Sequence, residues 1–263
     1  MKHPRHDHPV RLEGDEPNPF ECSGCKEPGC GPRYRCERGC PFVLHKDCSK
    51  ACPESPSIGH PLVDNSRFKF LWEPPRRPKR LFCVACGGAV KGFVYHDRKH
   101  DLVLHPCCMN LKSTMSDPSE KLTLNLDNKM PSKCVKCKEK VLKVQSKRPF
   151  TGWSYVSSCE KYCYHVYCVK KLIPDGWKSG SFNGGSSSSS SLRGRNLSTH
   201  GTASSSSITS AKRSSALARR RSSRSSVTRG LIKVVKIGLS VIMSLLLGNP
   251  TPLFTAVAEN WLG

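Results

Sequence analysis

The stretch Cys22-Ser23-Gly24-Cys25, with Cys36-Glu37-Arg38-Gly39-Cys40-Pro41-Phe42-Val43-Leu44-His45-Lys46-Asp47-Cys48 after it, decides how this chain folds. A Cys-x-x-Cys pair followed about twenty residues later by His-x-x-Cys supplies the four donors of a tetrahedral structural Zn²⁺ site. The pattern returns as Cys83/Cys86 with His105/Cys108, and again as Cys134/Cys137 with His165/Cys168. A lone Cys-x-x-Cys could be a redox pair or chance. Three complete copies in register point to metal.

Bulk composition agrees. The chain has 263 residues, 16 Cys, 10 His and only 7% aromatic residues, and every Cys falls between 22 and 168. Units of roughly 50–60 residues bury too little apolar surface to be comfortably stable without disulfides or metal. Met1-Lys2-His3-Pro4-Arg5-His6-Asp7-His8-Pro9 lacks the apolar run of a secretory leader, so a reducing, intracellular setting is expected, cytoplasmic or nuclear. Zinc is then the staple, rather than a disulfide framework.

The expected class is α+β: tandem small zinc-stabilised fingers, each made of short β-hairpins and one short helix. Finger one is placed at 1–58, finger two at 59–116 and a degenerate finger three at 120–177. Strands are expected at Arg33-Tyr34-Arg35-Cys36, Gly92-Phe93-Val94-Tyr95 and Gly152-Trp153-Ser154-Tyr155. A helix is expected after each His-x-x-Cys. The Pro- and Arg-rich run Glu73–Arg80 reads as an extended loop inside finger two. Residues 178–229 hold ten Lys or Arg, no acid and six consecutive serines at 186–191, a composition expected to stay disordered. The last segment, 230–263, contains an apolar run from Leu231 to Leu247. Its Lys233, Lys236, Ser240 and Ser244 fall on one stripe of a helix. The lysine-free part, Ile237 to Leu247, is too short to span a bilayer, so an amphipathic helix is expected, either at an anionic membrane surface or docked on the fingers.

A second ligand series accompanies the core sets. In finger one it is His8, or alternatively His6, with Cys36 and Cys40, and with His60 or Cys52 as the closing donor. Interleaved sets would cross-brace the unit. In finger two the corresponding slots hold Asp97 and His100, with His96 nearby, all able to ligate zinc through O or N. In finger three they are Cys159 and Cys163. Three to six Zn²⁺ ions are therefore expected. Cys30, Cys52 and Cys107 read as spare thiols, with Cys107 placed to compete for the ion of its neighbour Cys108.

Phe20-Glu21-Cys22-x-x-Cys25, Tyr34-Arg35-Cys36 and Cys40-x4-His45-x2-Cys48 resemble the divergent C1-type zinc finger of plant cysteine/histidine-rich proteins. So do Gly92-Phe93-Val94-Tyr95-His96 and Leu104-His105-Pro106-Cys107-Cys108, and the opener His60-Pro61-Leu62. The resemblance covers roughly 1–177. It departs where Cys36-x3-Cys40 is one residue longer than the family's Cys-x-x-Cys. These fingers are distant relatives of the phorbol-ester/diacylglycerol domain of protein kinase C. The resemblance implies a non-catalytic signalling or stress-response adaptor that binds protein or lipid partners. The lipid-binding relatives grip membranes around a Gln-Gly pair; none exists here, which argues against diacylglycerol binding.

Two other classes compete. A thiol–disulfide oxidoreductase would place Cys-x-x-Cys near a βαβ pattern, not beside His-x-x-Cys. Nucleic-acid binding draws on the net charge of +23, with Tyr34, Tyr95, Trp153 and Tyr155 as stacking surfaces. It is the second reading. No P-loop, Gly-x-Ser-x-Gly or His-Glu-x-x-His motif occurs, so no enzyme and no small-molecule substrate is expected.

Overall fold

The computed structural model describes residues 1–14, 18–77, 80–117, 122–142, 149–171 and 175. The Ser/Arg segment 178–229 and the C-terminal segment 230–263 lie outside the described residues.

Three units of one design follow each other. The first contains β1 (Lys2–His3), β2 (His6–Glu13), β3 (Phe20–Glu21), β4 (Pro28–Gly29), β5 (Arg33–Cys36), β6 (Val43–His45) and helix α1 (Lys46–Lys50). Its main sheet is antiparallel in the order β1-β2-β5-β6, and β3 pairs with β4. The second has β7 (Ile58–His60), β8 (Val63–Leu71), β9 (Val94–Asp97), β10 (Leu102–Leu104) and α2 (Pro106–Met109), with sheet order β7-β8-β9-β10. The third has β11 (Thr114–Asp117), β12 (Leu122–Asp127), β13 (Ser154–Ser157), β14 (Cys163–His165) and α3 (Val166–Lys170), with sheet order β11-β12-β13-β14.

Each sheet thus has four strands, two of them an N-terminal hairpin outside the strands expected at Arg33, Gly92 and Gly152. The added hairpin is the N-terminal one. Its signal was present in β8, where Ser66, Phe68 and Phe70 are buried and alternate with Arg67 and Lys69, the period-two pattern of a half-buried strand. The basic residues are the outward half of that alternation. The third sheet also starts earlier than residue 120, since β11 opens it at Thr114.

Pairing register makes the units superimposable on paper. Val10 faces Cys36, Phe68 faces Asp97 and Leu124 faces Ser157, so these pairs are equivalent. The turn carrying each Cys-x-x-Cys repeats as well. Lys26, Gly87 and Lys138 donate their N–H to the carbonyls of Cys22, Cys83 and Cys134 at 2.9, 2.7 and 2.9 Å. All three adopt positive φ, at 62°, 66° and 61°. Only glycine does so without strain, so Lys26 and Lys138 each cost about 1 kcal/mol. A structural requirement outweighs that cost: the turn presents both thiols on one side.

The helices have five, four and five residues, far too short to persist by propensity. Each starts directly after a ligand His and carries a ligand Cys, so metal coordination and packing must hold them. Pro106 at the first position of α2 donates no N–H where none is needed.

The units stack head to tail. Phe93 N–H donates to the Gly24 carbonyl at 3.1 Å, and the equivalent Trp153 N–H donates to the Ala85 carbonyl at 2.8 Å. Each bond joins the knuckle of one finger to the strand entry of the next. Gly92 is required at this junction, because a Cβ there would collide with the Gly24 carbonyl oxygen. A single apolar cluster runs through all three units, from Phe20 and Leu44 through Phe68, Phe70 and Leu104 to Trp153 and Tyr155. Sharing that core remedies the small size of each unit.

Candidate metal centres

Four sets of donors gather within 4.8 Å among the described residues. Site one is Cys22, Cys25, His45 and Cys48; site two is Cys83, Cys86, His105 and Cys108; site three is Cys134, Cys137, His165 and Cys168. The fourth, a satellite in finger one, is His6, His8, Cys36 and Cys40.

The three core sites share one geometry. The His Nδ1 lies 3.4 Å from the Sγ of Cys25, Cys86 and Cys137 in turn, and 3.8, 4.0 and 3.9 Å from that of Cys48, Cys108 and Cys168. The other ring nitrogen is turned outward. His165 Nε2 donates to the Lys140 carbonyl at 3.1 Å, and His105 Nε2 faces the Ala89 carbonyl at 3.4 Å. A hydrogen bond from Nε2 fixes the tautomer that leaves Nδ1 free to bind metal. In site one, His45 Nε2 packs against Gly29, which has no Cβ to obstruct it. Three thiols and one imidazole, oriented in this way, fit zinc.

Thiol acidity fits the same conclusion. Hydrogen bonds from Cys108 and Cys83 hold Cys86 well below the usual thiol range. The hydrogen bond from Cys168 is the main cause that brings Cys134 down to about 3. Their partners Cys108 and Cys168 are pushed up in turn by the same hydrogen bonds, so each pair shares a proton that metal ligation would displace.

The satellite set occupies the opposite end of the finger-one sheet. His8 Nδ1 lies 3.1 Å from Cys40 Sγ, and His6 stacks on Phe42 at 4.2 Å. His6 Nε2 is buried without a hydrogen-bond partner, a cost that ligation of a cation removes. Burial would raise the Cys36 thiol, but hydrogen bonds from His6 and from the N–H groups of Arg38 and Cys40 bring it to about 6. Both His6 and His8 take part here, whereas the sequence offers them as alternatives. The signal was available: residues two apart on a strand face the same side.

His60, expected to help close this set, lies elsewhere. It ends β7, and its Nδ1 accepts the Leu62 N–H at 3.2 Å while its ring packs on Trp153 at 4.3 Å. The equivalent His3 accepts the Arg5 N–H at 3.2 Å and stacks on Phe93 at 6.0 Å. Desolvation lowers the pKa of both rings. Both serve a hairpin turn and an inter-finger contact. Cys52 also stays outside, hydrogen-bonded to Glu54.

The satellite positions of fingers two and three form no donor set among the described residues. Asp97 is fully buried and accepts from Arg67 N–H at 3.1 Å, Lys99 N–H at 2.9 Å, His100 N–H at 3.3 Å and His100 Nδ1 at 2.8 Å. Four donors consume the carboxylate, so Asp97 braces with hydrogen bonds the turn that Cys36 would brace with metal. His96 faces Asp101 at 3.6 Å, and Arg77 holds Asp101 from the other side at 2.5 Å. In finger three, exposed Cys159 lies 3.3 Å from Ser157 Oγ, whereas buried Cys163 accepts from Ser132 Oγ at 3.0 Å. Cys163 is equivalent to core residues Val43 and Val103, so the two thiols occupy separate places.

Asp97→Asn tests the hydrogen-bond brace. Burial alone would raise the Asp97 pKa, but the bonds from His100, Arg67 and Lys99 lower it from 3.8 to about 2. The folded value is below the unfolded one, so its stabilisation is fully present above 3.8 and drains away as pH falls toward 2. At neutral pH the variant should lose about 1–3 kcal/mol, because a buried N–H is left poorly satisfied. Its zinc content should equal that of the unaltered chain by native mass spectrometry. Loss of a zinc ion would make Asp97 a ligand instead.

Charged groups connect the sites across fingers. Lys170 Nζ of α3 lies 2.6 Å from Glu27 Oε2 of finger one, and 3.8 Å from the Sγ atoms of Cys86 and Cys108 in site two. Glu27 Oε1 in turn faces His105 Nε2 at 3.6 Å. Three thiolates on one dication leave a net charge of −1, which the ammonium offsets. No sequence motif announces this contact, since Glu27 and Lys170 are 143 residues apart.

Residues 4–49, which hold site one and the satellite, match a family model described as C1 domain. No curated protein and no solved structure matches the chain. The first finger is thus similar to a C1 domain over residues 4–49, and the two further units repeat its strand order and its Cys/His set, an arrangement consistent with tandem zinc fingers.

Proposed function

We propose that this protein is a non-catalytic, zinc-stabilised interaction array of the plant divergent C1 type, an intracellular signalling adaptor whose partners are proteins. The observation that carries this reading is the closure of all four sets. Each offers four protein donors, and the cysteine and histidine donors of the core sites are mostly buried, as in structural rather than catalytic zinc sites. Four protein donors leave no coordination position for water or substrate.

Burial of the aromatic residues weighs against nucleic acid. Trp153, Tyr155 and Tyr95 are 2%, 1% and 7% exposed, so they are core residues and offer no stacking platform. Basic charge remains as a non-specific attraction. No helix among the described residues is long and apolar enough to cross a membrane. The segment 230–263 enters this reading as an auxiliary contact to anionic membrane surface.

Two measurements on the full chain test it. Native mass spectrometry should count four zinc ions. Affinity purification from plant extract, with zinc-loaded and metal-stripped protein compared, should enrich proteins on the loaded form alone and survive nuclease treatment. Partners that vanish with nuclease would favour the nucleic-acid reading.

A further inference from the structure

A cavity of about 410 Å³ opens where the three fingers meet, and each finger supplies part of its wall. Finger one contributes the stretch 27–32 and a side of α1, finger two the connector 110–112 that leaves α2, and finger three Met115, Tyr155 and Lys170. Cys107, expected to compete for the ion of Cys108, belongs to no donor set among the described residues and lines this cavity instead. The volume falls within the range of about 300–1,000 Å³ in which small organic ligands are held.

The lining is graded from apolar to cationic. Met115 and Tyr155 are 2% and 1% exposed, so they form the inner wall, with half-buried Pro28, Pro32 and Leu111 beside them. Polar atoms at this depth are already engaged. The Tyr155 hydroxyl donates to the Lys112 carbonyl at 3.1 Å, and Lys170 Nζ pairs with Glu27 Oε2 at 2.6 Å. An apolar group can enter without stranding a donor or an acceptor. The outer edge differs. Lys46, Lys50 and Lys112 are exposed there, and the one acid near them is half-buried Asp47. With Glu27 and Lys170 cancelling, three lysines against one acid leave a net charge of +2. Lys46 and Lys50 stand one turn apart on α1 and so project to the same side.

We propose that this cavity binds a small organic anion, with an aromatic or alkyl body between the fingers and a carboxylate among Lys46, Lys50 and Lys112. A neutral apolar molecule would leave the lysines without a partner, and an inorganic anion would leave the inner wall uncovered. The molecule is bound and not transformed, because sites one and two each hold four protein donors and offer no open position. Its walls come from three fingers, so a ligand here ties them together and stabilises the folded array by mass action. The inference goes beyond the adaptor reading, since it gives the array a chemical input besides its protein partners.

Isothermal titration calorimetry on the zinc-loaded full chain tests it, with naphthoate, its neutral analogue naphthamide, and acetate as probes. Naphthoate should bind at a single saturable site and raise Tm as its concentration rises. Naphthamide should bind about tenfold more weakly, since each exposed ion pair is worth at most about a factor of five. Acetate, which has no apolar body, should not compete. Lys50→Gln/Lys112→Gln, at exposed positions, should bring naphthoate down to the affinity of naphthamide and leave naphthamide unaffected. Leu111→Trp, which fills the cavity, should abolish binding of both aromatic probes. Native mass spectrometry counts the zinc in each variant; should Leu111→Trp lose an ion, the lysine pair decides alone. The proposal is overturned if naphthoate fails to bind, if naphthamide or acetate matches it, or if the lysine pair has no effect.

Discussion

Cys83→Ser leaves the protein one zinc ion short and unfolds the whole second finger. Structural zinc contributes an apparent binding free energy of about 10–16 kcal/mol at neutral pH, and in small modules that is folding free energy. A whole domain rarely has a larger margin, about 5–15 kcal/mol. The damage should spread, because finger two gives Phe93 N–H to Gly24 and accepts Trp153 N–H at Ala85. Limited proteolysis should cut first between residues 59 and 111, with fingers one and three cut faster than in the unaltered chain. A full zinc complement, or unchanged proteolysis, would refute the assignment of Cys83.

Lys170→Glu is expected to have the second largest effect. It sets a carboxylate against Glu27 and against the thiolates of Cys86 and Cys108, where an ammonium had balanced them. The side chains of Lys170 and Glu27 are 17% and 16% exposed, so solvent screens the pair only in part. Breaking a buried pair costs about 3–5 kcal/mol. A fall of several degrees in Tm should accompany faster release of one zinc ion to a chromogenic chelator. Lys170→Met, which keeps the stem and drops the charge, should fall between. The fast-released ion should be missing in Cys83→Ser/Lys170→Glu, where site two is already empty. Unchanged release in Lys170→Glu would remove the charge-balancing role.

The legibility of this molecule follows from the range of the forces involved. The core ligands are spaced by local covalent geometry, so Cys-x-x-Cys and His-x-x-Cys can be read directly. The strands at Arg33 and at Ser154 sit beside those motifs and are equally plain. Asp97 is harder. It occupies a ligand's slot, and only its four hydrogen bonds show that it took over the brace without the metal. Cys159 and Cys163 share the right composition, but strand alternation sends Cys163 into the core. The N-terminal hairpins are obscured because their outward residues are so basic. Contacts between fingers leave no local trace: Lys170 on site two is a consequence of stacking.

That stacking also gives the protein a history. The helix of each later finger packs beside the metal centre of the one before, α2 against α1 and Lys170 of α3 against Cys86 and Cys108. A ribosome adds about 5–20 residues per second. The sixty residues from Cys48 to Cys108 therefore take about 3–12 s. For those seconds finger one exists with its own four ligands complete and no neighbour above it. Synthesis therefore completes the ligand sets of sites one, two and three in that order, each before the helix that packs beside it is made. The molecule is thereby assembled in sequence, and the last-formed site, site three, has no later helix among the described residues to close it.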